Sequence, residues 1–495
     1  MKFISTRGIE DKKVSAAYAI KTGMASDGGL YMPENIPVFN SEELDELKKC
    51  SYIERAAKII GKFLTDYTYE ELLEDAEGAY AKEKFGNSPA PTSKICDGIH
   101  MLELWHGPTC AFKDMALQIM PRLFVRALRK TEEKRTALIL VATSGDTGKA
   151  ALEGSRDIEG TKMLVFYPTD GVSRVQKLQM QTQEGNNVSV LGIKGNFDDA
   201  QSGVKRIFSS EEMINALNDK NYFFSSANSI NWGRLVPQIV YYVSSYLDLV
   251  NQNEISMGDK IDVCVPTGNF GNIFAGYIAK RMGLPINKLV CASNSNNILT
   301  DFLNTGVYDK NRAFYQTMSP SMDILISSNL ERLLYLVAGQ KKTAEYMKLL
   351  NETGKYTVEK EVFEKIKENF IGFYANEEET QETIKNTYEK ENCLIDTHTS
   401  VAVASAKKYL NAYGAERKIL VVSTASPYKF AKDVHESLKG YTPFDDDTQA
   451  LAALSRLTGV KCPAPLASVT SKPILHPSTI EREGMNNAVL DFINA

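Results

Sequence analysis

Ala137-Leu138-Ile139-Leu140-Val141-Ala142 runs straight into Thr143-Ser144-Gly145-Asp146-Thr147-Gly148-Lys149. The first six residues are apolar at successive positions, the pattern of a strand buried on both faces of a parallel sheet. The small hydroxyl residues and glycines that follow leave backbone N–H groups and hydroxyls pointing at an anion where a strand gives way to a helix. The loop is not of the Walker type: two residues rather than four separate Gly145 from Gly148, and Ala150 stands where a Mg²⁺-binding Ser or Thr belongs. Taken alone, it is equally an ordinary strand-to-helix turn.

The same grammar recurs along the chain. Short apolar runs predict strands over 137–142, 163–167, 188–193, 261–265, 289–292 and 419–422, and helical patterns fall between them over 200–208, 235–249, 273–282 and 400–410. Such alternation means an α/β fold with right-handed crossovers. Two regions break the pattern. Residues 1–95 carry charged amphipathic helices over 42–49, 52–63 and 69–84 and read as an N-terminal cap, whereas 341–390 is rich in Glu and Lys and reads as a solvated helical insertion. Prolines after Lys461 predict an irregular tail laid over the body.

Composition narrows the function. The 495 residues suffice for two or three domains. With 57 Lys plus Arg against 62 Asp plus Glu, the net charge of −5 offers no basic excess for a nucleic-acid backbone. No apolar stretch has the length of a membrane span, so a cytoplasmic protein is expected. Seven cysteines without a Cys-x-x-Cys pair read as reduced structural thiols, and five unclustered histidines give no reason to expect a metal.

Three further segments carry chemistry. In His106-Gly107-Pro108-Thr109-Cys110-Ala111-Phe112-Lys113-Asp114, a turn places Lys113 near the start of a helix expected over 116–126. A buried lysine there is a Schiff-base candidate, and an exposed one is merely a solvated helix start. Pro266-Thr267-Gly268-Asn269-Phe270-Gly271-Asn272 follows another strand, and its successive N–H groups suit a phosphate, without the spacing of a dinucleotide fingerprint. Ser423-Thr424-Ala425-Ser426-Pro427-Tyr428-Lys429-Phe430 puts hydroxyls at a strand's carboxyl end, where open α/β sheets bind ligands.

Taken together, a lysine, a hydroxyl and glycine loop, a phosphate nest and a strand-end hydroxyl are the parts that hold pyridoxal 5′-phosphate. In this order, with Gly23 to Pro33, Asn228 to Arg234, Ala292 to Asn294, Met322-Asp323 and Asp396 to Thr399, they span nearly the whole chain. The sequence resembles the threonine synthase family, of the long-chain fungal and bacterial type, within the fold type II pyridoxal-phosphate-dependent enzymes (tryptophan synthase beta-like).

The resemblance implies two open α/β domains plus the cap: a large cofactor-binding domain over 96–125 and 226–455, a smaller mobile one over 126–225, and a tail over 456–495. Lys113 would bind pyridoxal phosphate covalently and act as the catalytic base, beside Phe112. Gly268, Asn269, Phe270, Gly271 and Asn272 would hold the cofactor phosphate, and Thr424 would face the pyridine nitrogen. Thr143, Ser144, Asp146 and Thr147 would surround the substrate α-carboxylate, with Asp146 accepting N–H or O–H bonds. Arg234, Ser173, Asn231 and Arg7 are the candidates for the substrate phosphate. The implied reaction turns O-phospho-L-homoserine and water into L-threonine and phosphate by γ-elimination and β-addition, in a monomer or homodimer that binds neither nucleic acid nor membrane. Another lyase of the same fold, such as a threonine dehydratase or a phospho-hydroxyamino-acid lyase, is the alternative. The chain departs from the family pattern at Ser426, Asn297 and Arg174, where His, Asp and Pro are common, so different local hydrogen bonds are expected there.

Overall fold

The computed structural model describes residues 1–8, 12–143, 145–169, 172–414 and 416–494. Among them, two sheets form the frame. The larger has six strands in the order Phe370–Tyr374, Ile286–Ser293, Ile261–Pro266, Ile419–Ser423, Ile99–Glu103 and Thr92–Cys96, parallel throughout except for the last pair. The smaller has five parallel strands in the order Thr479–Ile480, Val188–Ile193, Thr161–Pro168, Thr136–Ala142 and Tyr222–Ser225. We call the elements around them the large and small lobes. Ile261–Pro266 and Ile419–Ser423 are buried at every position, which is what their continuous apolar runs demand of strands covered on both faces.

The expected elements are present, often longer by a residue or more at each end. The helix expected over 116–126 is instead two, Asp114–Leu117 and Met120–Lys130. Pro121 lies in the first turn of the second, where its missing N–H leaves no hydrogen bond unmade, so the chain restarts a helix there. The stretch 341–390 is not purely a helical insertion. Its helices Gln340–Thr353, Lys360–Lys367 and Glu377–Glu391 are interrupted by Phe370–Tyr374, an edge strand of the large sheet. The tail is more regular than its prolines suggest: Thr479–Ile480 extends the small sheet, and helix Met485–Asn494 buries Met485, Val489 and Ile493 against the same lobe.

The N-terminal region contains three charged helices, Ser41–Lys49, Tyr52–Gly61 and Tyr69–Ala79, each opened by a capping box: Asn40 with Glu43, Ser51 with Glu54, and Thr68 with Glu71. It packs on Trp232–Asn251, the 20-residue helix through the large lobe. Phe3 and Phe63 rest on Trp232 with ring centroids 5.4 and 5.5 Å away, and Arg55 pairs with Asp248 at 2.7 Å. The two regions therefore share one hydrophobic core. No helix among the described residues is long and apolar enough to cross a membrane.

Candidate active site

The turn before Lys113 is closed by its own side chains. Thr109 donates to Asp114 from its N–H at 2.8 Å and its hydroxyl at 2.7 Å. Gly107 lets the carboxylate in, since a Cβ there would stand 2.5 Å from Asp114 Oδ2. The Phe112 N–H donates to the Thr424 carbonyl at 2.8 Å, and the Ser426 N–H to the Cys110 carbonyl at 3.1 Å. These two bonds bring Thr424, at the carboxyl end of Ile419–Ser423, beside Lys113. Lys113 Nζ lies 3.4 Å from Asp146 Oδ2, 3.3 Å from Ser321 Oγ and 5.3 Å over the Phe112 ring. Burial lowers the pKa of its amine, Asp146 raises it, and the nearby Lys429 charge lowers it again, so that it ends below the ordinary lysine value.

Behind Ile261–Pro266, the segment from Gly268 to Asn272 forms a compact nest at the start of helix Gly271–Arg281. Phe270 sits in the left-handed region at φ 61°, a conformation an aromatic residue rarely takes outside a functional turn. A Cβ at Gly268 would lie 2.5 Å from the Ser321 carbonyl, so only glycine permits this approach. Ser321 thereby touches both the nest and Lys113. The Ser327 hydroxyl and the Asn329 N–H fix the Gly268 and Asn269 carbonyls at 2.7 and 3.1 Å. Asn272 Oδ1 accepts from the Tyr241 and Tyr242 hydroxyls, each at 2.6 Å, while its buried Nδ2 is left without a partner. An orphan donor beside backbone amides at a helix start fits a phosphate.

The loop behind Thr136–Ala142 is organised differently. The Thr143 hydroxyl accepts from the Gly145 and Gly148 N–H groups at 3.1 and 3.0 Å, so its oxygen is engaged within the loop. Ser144 lies outside the described residues. Thr147 is half-buried at the start of helix Asp146–Ser155. Asp146 accepts from Lys429 Nζ at 2.8 Å and Gln176 Nε2 at 3.0 Å. Burial alone would raise its carboxyl pKa, but the ammonium groups of Lys429 and Lys113 overcome that and hold it well below the usual aspartate range.

Of the four candidates for a second anion, Arg234 is buried at the start of Trp232–Asn251. Nη1 donates to the Ala227 carbonyl at 2.6 Å, Nε has no partner, and no carboxylate among the described residues pairs with it. Burial pushes its pKa down to about 10. Ser173 caps helix Arg174–Gln181 through the Gln176 N–H at 3.2 Å, two steps from Asp146. The Asn231 side chain is spent on structure, donating to the Ile20 carbonyl and accepting from the Gly233 N–H, both at 2.8 Å. Arg7 forms a two-point pair with Glu331, both contacts at 3.0 Å. Ser426 and Asn297 make local bonds, with the Tyr428 N–H and Arg312 respectively.

Lys429 and Ser321 are not among the site residues that the sequence motifs single out. Lys429 lies inside the quoted segment 423–430, and a lysine among apolar neighbours after a buried strand was an available signal. Ser321 carries no local signature.

A lysine beside two buried strand ends, one of them running into a glycine-rich nest at a helix start, is the arrangement of a fold type II pyridoxal-phosphate-dependent enzyme. Residues 88–425 match the family model for pyridoxal-phosphate dependent enzymes, and residues 2–80 the model for the threonine synthase N terminus. The threonine synthase of Pseudomonas aeruginosa is 37% identical over 449 residues, 90% of this chain and 92% of that one. The crystal structure of pyridoxal-phosphate-bound threonine synthase from Brucella melitensis superposes with a TM-score of 0.89 at 34% identity, covering 100% of both chains. Threonine synthase-like 1 of Homo sapiens is 41% identical over 457 residues, 88% of this chain, which spans only 61% of that longer protein. The chain belongs to the threonine synthase family.

Proposed function

We propose that the protein is a threonine synthase, converting O-phospho-L-homoserine and water into L-threonine and phosphate. The observation that carries this reading is the setting of one amine: Lys113 reaches the 268–272 nest through Ser321 and feels the charge of a buried guanidinium, Arg234, that pairs with no carboxylate among the described residues. Two phosphates, one on the cofactor and one on the substrate, satisfy both. Pyridoxal phosphate, bound through Lys113 and the amides and Asn272 donor of the nest, supplies the electron sink that makes substrate Cα and Cβ protons acidic.

The residues do the rest. Lys113 Nζ takes the Cα proton and relays a proton at Cβ while phosphate departs from Cγ, a task suited to an amine that burial keeps below the ordinary lysine pKa. Thr424 would offer the ring nitrogen of the bound cofactor a neutral hydroxyl, which would keep the sink moderate and favour chemistry at Cβ and Cγ. Arg234 holds the substrate phosphate with a charge-assisted bond. Amides of the 143–148 loop meet the α-carboxylate, and Thr143 sets their direction. Ser173 and Arg7 join the phosphate site only if ligand binding moves Ser173 off its cap or Arg7 off Glu331, and Asn231 acts by holding the segment that presents Arg234. Closure of the small lobe excludes water until the β-carbon is ready for it. Unpaired cysteines fit a cytoplasmic enzyme, and a monomer or homodimer completes the reading.

Adding pyridoxal phosphate to wild type is expected to give the visible absorbance of a Schiff base, and Lys113→Ala to give none with kcat down by at least roughly 10²-fold. O-phosphohomoserine should release phosphate and threonine in step. Faster formation of 2-oxobutanoate from threonine, measured as kcat/KM, would assign a dehydratase instead.

A further inference from the structure

Lys429 is a fully buried cation whose side chain is 0% exposed. It stands in the turn Pro427–Phe430 of the large lobe, yet its ammonium reaches two small-lobe elements: Asp146, which opens helix Asp146–Ser155, at 2.8 Å, and Gln179 on helix Arg174–Gln181 at 2.7 Å. Its third contact is the Thr109 carbonyl at 3.2 Å, in the turn that carries Lys113. The Asp146 carboxylate thus lies between two ammonium groups, and the distances are unequal: 2.8 Å to Lys429 and 3.4 Å to Lys113. Gln176 reinforces the oxygen that faces Lys429.

We propose that Lys429 is a positioning residue: it fixes Asp146 across the cleft and, by claiming most of that carboxylate, leaves the Lys113 amine free to react with the cofactor aldehyde. The inference rests on the reading of Lys113 as the cofactor lysine. A buried amine with a carboxylate of its own would be held protonated, and a protonated amine cannot attack a carbonyl. A second cation on the same carboxylate opposes that. The other groups around Lys113 do not reverse the balance. Arg234, on Trp232–Asn251, also disfavours its protonation. Asp114, next in its own turn, is bound to Thr109, and Ser321 offers only a hydroxyl. The Schiff base forms with loss of water from amine and aldehyde, so no further reactant is needed.

The test is the pH dependence of cofactor uptake by apoprotein, followed as visible absorbance after mixing with pyridoxal phosphate. In Lys429→Met the midpoint for uptake should rise by about one pH unit, which is about tenfold slower uptake below both midpoints, because Asp146 then serves Lys113 alone. Lys429→Arg, which keeps the charge, should restore the wild-type midpoint. Asp146→Asn should shift it downward, and this variant carries the test by itself if Lys429→Met does not fold by circular dichroism. An unmoved midpoint in Asp146→Asn or in folded Lys429→Met, or Arg behaving as Met, overturns the proposal and leaves Lys429 as a strut between lobes. Wild type that takes up no pyridoxal phosphate at any pH overturns the cofactor-lysine reading instead.

Discussion

Two strand-to-helix turns face each other across Lys113, and they are held in place by different forces. The nest at 268–272 contains no charged residue, and its partners Tyr241, Tyr242, Ser321, Ser327 and Asn329 all belong to the large lobe. The turn at 143–148 is ordered locally by Thr143, but its carboxylate is anchored by Lys429 and Lys113 from the opposite lobe. The first is braced by neutral groups of its own lobe, with its side-chain and carbonyl oxygens engaged and the buried Asn272 Nδ2 left over. The second is tied to the other lobe by charge, through the pairs of Asp146 with Lys429 and Lys113. The function proposed above gives the first turn to a cofactor that stays bound and the second to a substrate that enters and leaves, and the two constructions suit those tasks.

Gly268→Ala strikes the first turn hardest. The new Cβ would meet a backbone carbonyl that cannot rotate away, so pyridoxal phosphate affinity should fall by roughly 100-fold, with activity partly recovered at high cofactor concentration. Gly148→Ala is the matched lesion in the second turn, where the Cβ would lie 2.2 Å from the Thr143 methyl. Here kcat/KM should fall by about tenfold while cofactor affinity, measured by absorbance titration, holds. If both variants lose cofactor equally, the division between the turns is wrong.

Arg234→Met probes the site between them. Loss of one charge-assisted bond should raise KM for O-phosphohomoserine by roughly 30-fold and leave cofactor uptake intact. Among the described residues no carboxylate pairs with the buried guanidinium, so its removal relieves an uncompensated charge that offsets the lost bond to the Ala227 carbonyl, and the melting temperature should change little. A variant with unchanged KM takes Arg234 out of the substrate site.

The first turn was more legible in sequence than the second for the same physical reason. A site made of backbone amides writes itself into glycines and strand ends, so Gly268, Gly271 and the preceding Ile261–Pro266 can be read locally. A site made by two lobes meeting depends on residues far apart in the chain: Asp146 and Lys429 are 283 positions from one another, and nothing local pairs them. Phe370–Tyr374 escaped notice because a half-buried alternation of five residues sits among glutamates and lysines, where charge dominates any window. Asn231 directly precedes Trp232–Asn251, and an asparagine before a long apolar helix signals a cap as readily as a ligand donor.

The smallest expected effect is on stability and separates two buried carboxylates. Asp146 faces ammonium groups that hold its folded pKa down, so its contribution to stability is full at neutral pH and drains away as pH falls below the usual aspartate value toward the depressed one. Asp114 faces mainly the neutral donors of Thr109. Burial raises its pKa to about 6, against hydrogen bonds that lower it. A carboxyl whose folded pKa exceeds its unfolded one favours folding in its protonated form, so Asp114 becomes a burden as pH climbs from the unfolded value toward 6 and adds nothing further above that. Urea unfolding of wild type and Asp114→Asn should therefore diverge with pH. Wild type should lose about 2 kcal/mol relative to the variant between pH 4 and pH 7, while the hydrogen bond that Asn forfeits contributes a constant offset. A difference that stays flat over this range would mean that the Thr109 donors compensate the Asp114 charge as fully as the two lysines compensate Asp146, and the contrast between the two sides of Lys113 would then rest on geometry alone.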